Sequence, residues 1–286
     1  MKSFHSFNFI LLALSMTEIP VIACTSYSIE EAAKKGIIKL SIKGKGGYTG
    51  DVITMKIQNL TNKKIDLNLE AGRRLDSKNN GEQDILVTQQ QEIFVNANQL
   101  KTINVIGMCC QAHNCAPKLS SEYNVGKLAD TNLIKLAKYI DQNKYYSNYS
   151  AQQSVWVISD NNSLASITEG EKEVVTNLRK FVSTVTGKII PPYDITYRSG
   201  SDGSAMGRAF KIDGVFEYTL PMPCHSSMGI YDEHGKLVQI IFQNLQSDRG
   251  DYKLLYSFRT KDLPEGTYYA RVEADGLLQK QIKIEF

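Results

Sequence analysis

The spacing of apolar residues changes twice along this chain, and those two changes restrict what it can fold into. Up to Cys110 the period is that of a β-strand. Ile37-Ile38-Lys39-Leu40-Ser41-Ile42 leads into the turn Gly44-Lys45-Gly46-Gly47, Val52-Ile53-Thr54-Met55-Lys56-Ile57 follows, and Ile65-Asp66-Leu67-Asn68-Leu69 alternates strictly. Further strands are expected at 84–87, 92–95 and 101–108. Short strands divided by turns, with no helical pattern between them, predict an antiparallel sandwich over 30–117.

After Pro117 the period becomes that of a helix. Leu133, Leu136, Ala137 and Ile140 recur at i, i+3, i+4 and i+7 behind the caps Asp130 or Thr131. A second helix is expected over 151–158. A third, over 171–186, carries Val174, Val175, Leu178, Phe181 and Val182 on one stripe. The helical unit thus spans 118–188 and stops before Pro191-Pro192, since proline cannot continue a helix. Arg198-Ser199-Gly200-Ser201-Asp202-Gly203-Ser204 has the composition of a flexible joint, so 189–207 reads as a linker. Strand patterns return over 208–286, with hairpin turns at Glu233-His234-Gly235 and Ala274-Asp275-Gly276. The predicted class is mainly β with an α-helical unit, a multidomain α+β arrangement.

The first 23 residues read as an export signal: Lys2 supplies positive charge, Phe7 to Met16 an apolar core, and Val21-Ile22-Ala23 a cleavage site. That core falls well short of the roughly 20 residues a spanning helix needs. Cys24 follows the cut, where lipidation would anchor the chain to a membrane; simple release is the alternative. Export implies a secreted or cell-surface protein, with the periplasm as the other destination.

Composition narrows the function classes. With 33 basic and 30 acidic residues the chain is near charge balance and lacks the basic stripe that nucleic acid demands. No Gly-rich phosphate loop has a strand-to-helix setting, so no nucleotide and no other cofactor is expected. A non-enzymatic binding or adhesion protein is the expected class, its partner an extracellular protein or glycan.

Three ordered segments carry a resemblance at the C-terminus. They are Tyr218-Thr219-Leu220-Pro221, the run from Met228 to Val238, and Leu263-Pro264-Glu265-Gly266-Thr267-Tyr268-Tyr269-Ala270-Arg271. Together they resemble the FlgD-type immunoglobulin-like domain and the sorting tails of type IX secretion. The resemblance implies a C-terminal Ig-like sandwich that engages secretion machinery.

Met108-Cys109-Cys110-Gln111-Ala112-His113-Asn114-Cys115 is the densest chemical feature. With Cys224 these cysteines could pair as disulfides in an oxidising compartment, and with His113 or His225 they could hold a metal, although the spacing matches no standard zinc pair. Either would make a stapled, noncovalent binding module. A more distant alternative is a hydrolase using Cys110 and His113.

Ala151-Gln152-Gln153-Ser154-Val155-Trp156 resembles the Thr-Gln-x-Ala-Ile-Trp motif of bacterial surface thioester domains. That resemblance implies an internal thioester between the Gln152 side chain and a cysteine ending a β segment, with Trp156 covering the site. Cys109 is the preferred thiol, because it shares its strand face with Gly107, Val105 and Ile103, the more apolar side; Cys110, on the Met108 face, is the alternative.

Overall fold

The computed structural model describes residues 26–201 and 203–286. The export signal and the lipidation candidate Cys24 lie outside the described residues. The chain is mainly β, with 47% of residues in strands and 18% in helices.

The N-terminal strands are β1 (Ser26–Ser28), β2 (Ile38–Gly44), β3 (Thr49–Asn59), β4 (Ile65–Leu69), β5 (Arg73–Ser77), β6 (Ile85–Val87), β7 (Gln91–Val95), β8 (Leu100–Cys109) and β9 (Glu122–Leu128), with helix α1 (Ile29–Lys34) after β1. Six of them close into a barrel in the order β2-β3-β8-β6-β5-β9, while β1, β4 and β7 form a separate three-stranded sheet. Both share one core containing Ile53, Met55, Ile57, Leu67, Leu69, Val95 and Val105. Closure is the departure from the expected antiparallel sandwich. It depends on β9, which pairs antiparallel with β5 and also with β2 through Ile42 opposite Tyr123. A closed sheet leaves no barrel edge unpaired. Because β9 lies at the start of the segment expected to be helical, the helical unit begins at residue 131 rather than 118.

Three helices follow: α2 (Thr131–Asn143), α3 (Tyr149–Ser159) and α4 (Lys172–Thr186), with a single 3-10 turn at Leu164–Ser166. Asp130 caps α2 by accepting from the Asn132 and Leu133 amides at 2.9 and 3.1 Å. Gly187, at φ 73°, ends α4 before the two prolines are reached. The predicted stripes meet in a second core, where Leu136, Ile140, Leu178 and Val182 pack on Leu86, Met108 and Cys110 of the barrel wall.

The C-terminal strands are β10 (Tyr193–Tyr197), β11 (Ala209–Leu220), β12 (Cys224–Asp232), β13 (Leu237–Ser247), β14 (Gly250–Arg259), β15 (Thr267–Ala274) and β16 (Leu277–Glu285). Sheets β10-β11-β14 and β13-β12-β15-β16 share a core of Phe216, Phe258, Ile230, Val272 and Ile284. Asp275 and Gly276 take φ 48° and 78° in the β15–β16 hairpin, as its Asp-Gly pair predicts.

The segment expected to be a loose linker is ordered. Its first part is β10, paired with β11. Its second part folds back on itself: Gly207 N donates to Arg198 O at 2.7 Å, Arg198 N to Arg208 O at 3.2 Å, and Gly200 N to Ser204 O at 3.0 Å. Ala205 and Met206 join the barrel core, and Met206 N donates to Ala112 O at 3.1 Å. Glycine here permits close approach rather than looseness, since a Cβ on Gly207 would stand 3.0 Å from Gly200.

Candidate functional site

Strand β8 delivers Cys109 to the rim of the barrel and stops there. The Cys110 amide donates to Asp84 O at 2.8 Å, and Gln111 then turns the chain away at φ 58° while its side chain pairs with Asp84. The two faces of β8 meet different partners, as alternation requires. Val105 and Cys109 enter the barrel core, whereas Met108 and Cys110 enter the helical core.

Helix α3 lies between these cores, and residues 150–157 are all buried. Its two sides divide accordingly. Ala151, Val155 and Val157 pack among the helices, while Trp156 reaches the barrel core. Gln152, one turn before Trp156, lies on the same side of the helix.

Gln152 meets Cys109 through two hydrogen bonds. The Cys109 amide donates to Gln152 Oε1 at 2.8 Å, and Gln152 Nε2 donates to Cys109 O at 2.7 Å. Both residues are wholly buried. Cys109 Sγ lies 3.9 Å from Gly47 O, in the glycine-rich turn between β2 and β3. Trp156 is flanked edge-on by Tyr48 at 6.2 Å and Tyr149 at 5.9 Å between ring centroids. Water is thereby excluded from the thiol and the carboxamide together.

Burial sets the protonation state. It pushes the Cys109 thiol well above its ordinary range, an effect reinforced by Cys110. Burial likewise raises Cys110 to about 12, against the pull of Arg74, and Tyr149 to about 12. At neutral pH Cys109 is therefore a neutral thiol, so any attack by it relies on placement and desolvation rather than on a standing thiolate.

The other sequence candidates are dispersed. His113 is exposed on the loop after β8, its Nδ1 3.2 Å from Met206 O, while Cys110 faces the opposite, helical core. The arrangement needed for a Cys110–His113 hydrolase is absent. Cys115 forms isolated bridges with Glu82 and Ser204, and Cys224 and His225 sit on β12 in the C-terminal sheets. Cys109, Cys110 and Cys224 carry free thiols, so the expected disulfide staple does not run through them. Among the described residues no group of three or more His, Cys, Asp or Glu side chains could hold a metal ion, which removes the basis for the metal staple there.

Sequence reasoning passed over Gln83. It is fully buried, accepts from Trp156 Nε1 at 3.2 Å, donates to Asn114 O at 3.0 Å, and offers its own carbonyl to Tyr123 Oη at 3.3 Å. It ties α3 to the loop that follows Cys109. In Gly81-Glu82-Gln83-Asp84 it reads as part of a polar turn, and no period marks it. Tyr149 did carry a signal, since it stands seven residues before Trp156 on the same helical face.

No protein-family model matches the chain, and no curated protein shows detectable similarity to it. Among solved structures, a red sea bream transglutaminase aligns at 11% identity and TM-score 0.20, covering 90% of this chain and 33% of that one. A Kluyveromyces marxianus beta-glucosidase aligns at 8% identity and TM-score 0.19, covering 82% and 44%. The CBM51-2 and INT domains of Clostridium perfringens ZmpB, in complex with GlcNAc, align at 11% and 0.16, covering 86% and 77%. The chain spans under half the length of the first two, and scores this low carry no argument about fold or activity.

Proposed function

We propose that this protein is an exported binding protein that attaches covalently to an amine on its target through a Cys109–Gln152 thioester. The observation that carries the reading is the fully buried pairing of the Gln152 carboxamide with the Cys109 peptide.

The chemistry balances without a cofactor. Cys109 Sγ attacks Gln152 Cδ, the C–N bond breaks, and the thiol proton leaves with the amide nitrogen as ammonia. A target amine then attacks the same carbon, the C–S bond breaks, and a proton returns to sulfur. An amide links Gln152 to the target, and the Cys109 thiol is restored. The two hydrogen bonds to the Cys109 backbone fix the carboxamide at the residue that carries the thiol, which supplies the effective concentration the first step needs. The packing of Trp156, Tyr48 and Tyr149 keeps water from hydrolysing the acyl donor before the amine arrives. The chain uses Gln152 once, so this is capture of a partner rather than turnover. The C-terminal sheets serve delivery, in line with their resemblance to secretion sorting domains, and the target is an extracellular protein or glycan bearing a primary amine.

Intact mass of the unreduced mature protein tests the reading. A deficit of one ammonia is expected, lost on methylamine treatment and absent in Cys109→Ala and Gln152→Ala. An unmodified mass in freshly secreted protein would overturn it and leave Gln152 as a structural bolt across the barrel rim.

A further inference from the structure

A cavity of about 480 Å³ opens where the loop after Cys109 meets the folded-back segment 198–208 and the start of β11. His113, Arg198, Arg208 and Lys261 stand around it, Ser199 and Ser201 add hydroxyls, and Met206, Ala209 and Phe210 supply an apolar floor.

Its cations gather without a described carboxylate partner. Arg74 and Arg179, by contrast, are matched to carboxylates, Asp84 and Asp194, at 2.6 Å each. Among the described residues, Arg198, Arg208, Arg259 and Lys261 meet no carboxylate within ion-pair distance; Asp202, in the same loop, lies outside the described residues. Arg198 is nevertheless held in place. Its guanidinium stacks 3.9 Å from the centroid of Phe210, and Arg259 approaches the same ring at 5.7 Å. Arg208 is steadied by donating to Leu263 O at 3.3 Å. Like charges gathered without counter-charges repel, so the arrangement favours an anionic occupant.

Size and lining refine the class. The volume falls within the range of small-molecule sites, roughly 300 to 1,000 Å³, and a bare ion would leave most of it empty. The charged groups are all donors, which calls for a ligand of acceptors; planar guanidinium groups match the oxygen pairs of phosphate, sulfate and carboxylate. The apolar floor suits the face of a ring.

We propose that this cavity binds a sugar-sized organic anion, a ring bearing hydroxyls and one phosphate, sulfate or carboxylate group. The inference does not need the thioester. Should both hold, a target carrying such a group would dock beside the loop that leads from Cys109.

Calorimetric titration of the full mature chain tests it, with glucose 6-phosphate, glucose 6-sulfate, glucuronate, glucose and inorganic phosphate as probes. Charged sugars should bind with affinity that falls as salt rises, glucose binding about tenfold or more weakly. The double variant Arg198→Gln, Arg208→Gln should lose about tenfold or more in affinity, and Lys261→Gln a smaller factor, each variant still melting in one cooperative transition without ligand. Equal binding of glucose and the charged sugars, no binding of any charged sugar, phosphate ion binding as tightly as glucose 6-phosphate, or full affinity in the double variant would each overturn the proposal. Repeating the titration in Cys109→Ala separates the two readings, since that variant abolishes the ammonia deficit and should leave anion binding intact.

Discussion

Neighbouring cysteines at the end of β8 show how strongly alternation of side-chain direction decides chemical role. Cys109 meets a carboxamide; Cys110 meets Leu86, Met108 and the helices. Cys110 is pushed from an ordinary 9.0 to about 12, chiefly by burial, so folding favours its protonated form. Stability from this group is complete below about pH 9 and declines as pH rises toward 12, because the unfolded chain releases the proton first. Tyr149 and Tyr197, raised to about 12 by burial, deepen the same decline. In Cys110→Ala part of the slope disappears, and the stability difference from wild type should shrink as pH rises from 7 to 11. Urea midpoints across that range measure it; a constant difference would show that Cys110 does not contribute. Alternation along 102–110 was enough to separate these two thiols in sequence. Gln83 was not legible, because its role comes from Trp156, Asn114 and Tyr123, which only the closed barrel brings to it.

At the scale of elements, what the sequence revealed depended on how far apart the partners lie. Helices α2 and α4 carry their signal locally, in one apolar stripe and in the cap Asp130; α4 appears within a residue of expectation, and α2 starts behind its cap and runs three residues past the apolar run, to Asn143. Barrel closure has no local signal. Strand β9 is short, follows a proline, and pairs with strands far back in the chain. The approach of β6 to β8 is equally hidden, though it fixes the site. A Cβ on Gly107 would stand 2.5 Å from Ile85 Cγ2 and 2.9 Å from Leu86 O, so β6 lies against bare backbone. Gly107→Ala should destabilise the fold by about 1–3 kcal/mol, the usual cost of overpacking. Since Ile85 is the register partner of Cys109, the strain should also displace the thiol and slow loss of ammonia in freshly folded protein. Denaturant unfolding measures the first effect and time-resolved intact mass the second. A stable variant that loses ammonia at the wild-type rate would remove β6 from the account of the site.

For the whole molecule, the connection between barrel and C-terminal sheets matters most. Its Gly/Ser composition suggested two independent bodies on a flexible joint. Instead Ala205 and Met206 are buried in the barrel core, Met206 N is bonded to Ala112 O, and Tyr193 and Ile195 of β10 lie in the C-terminal core. Composition alone cannot separate a loose loop from a tightly packed one, because small residues permit both. The segment therefore couples two cores that the sequence presents as separate. Met206→Asp places a carboxylate where a thioether is 4% exposed, which folding can accommodate only by releasing the segment from the barrel. The wild-type chain should resist trypsin at Arg198 and Arg208 and unfold in one calorimetric transition. The variant should be cut at those arginines and show two transitions, with the C-terminal fragment still folded on its own core. If wild-type protein were cut first at Arg198 or Arg208, the coupling would fail, and with it the fixed geometry that lines the anion cavity from both sides.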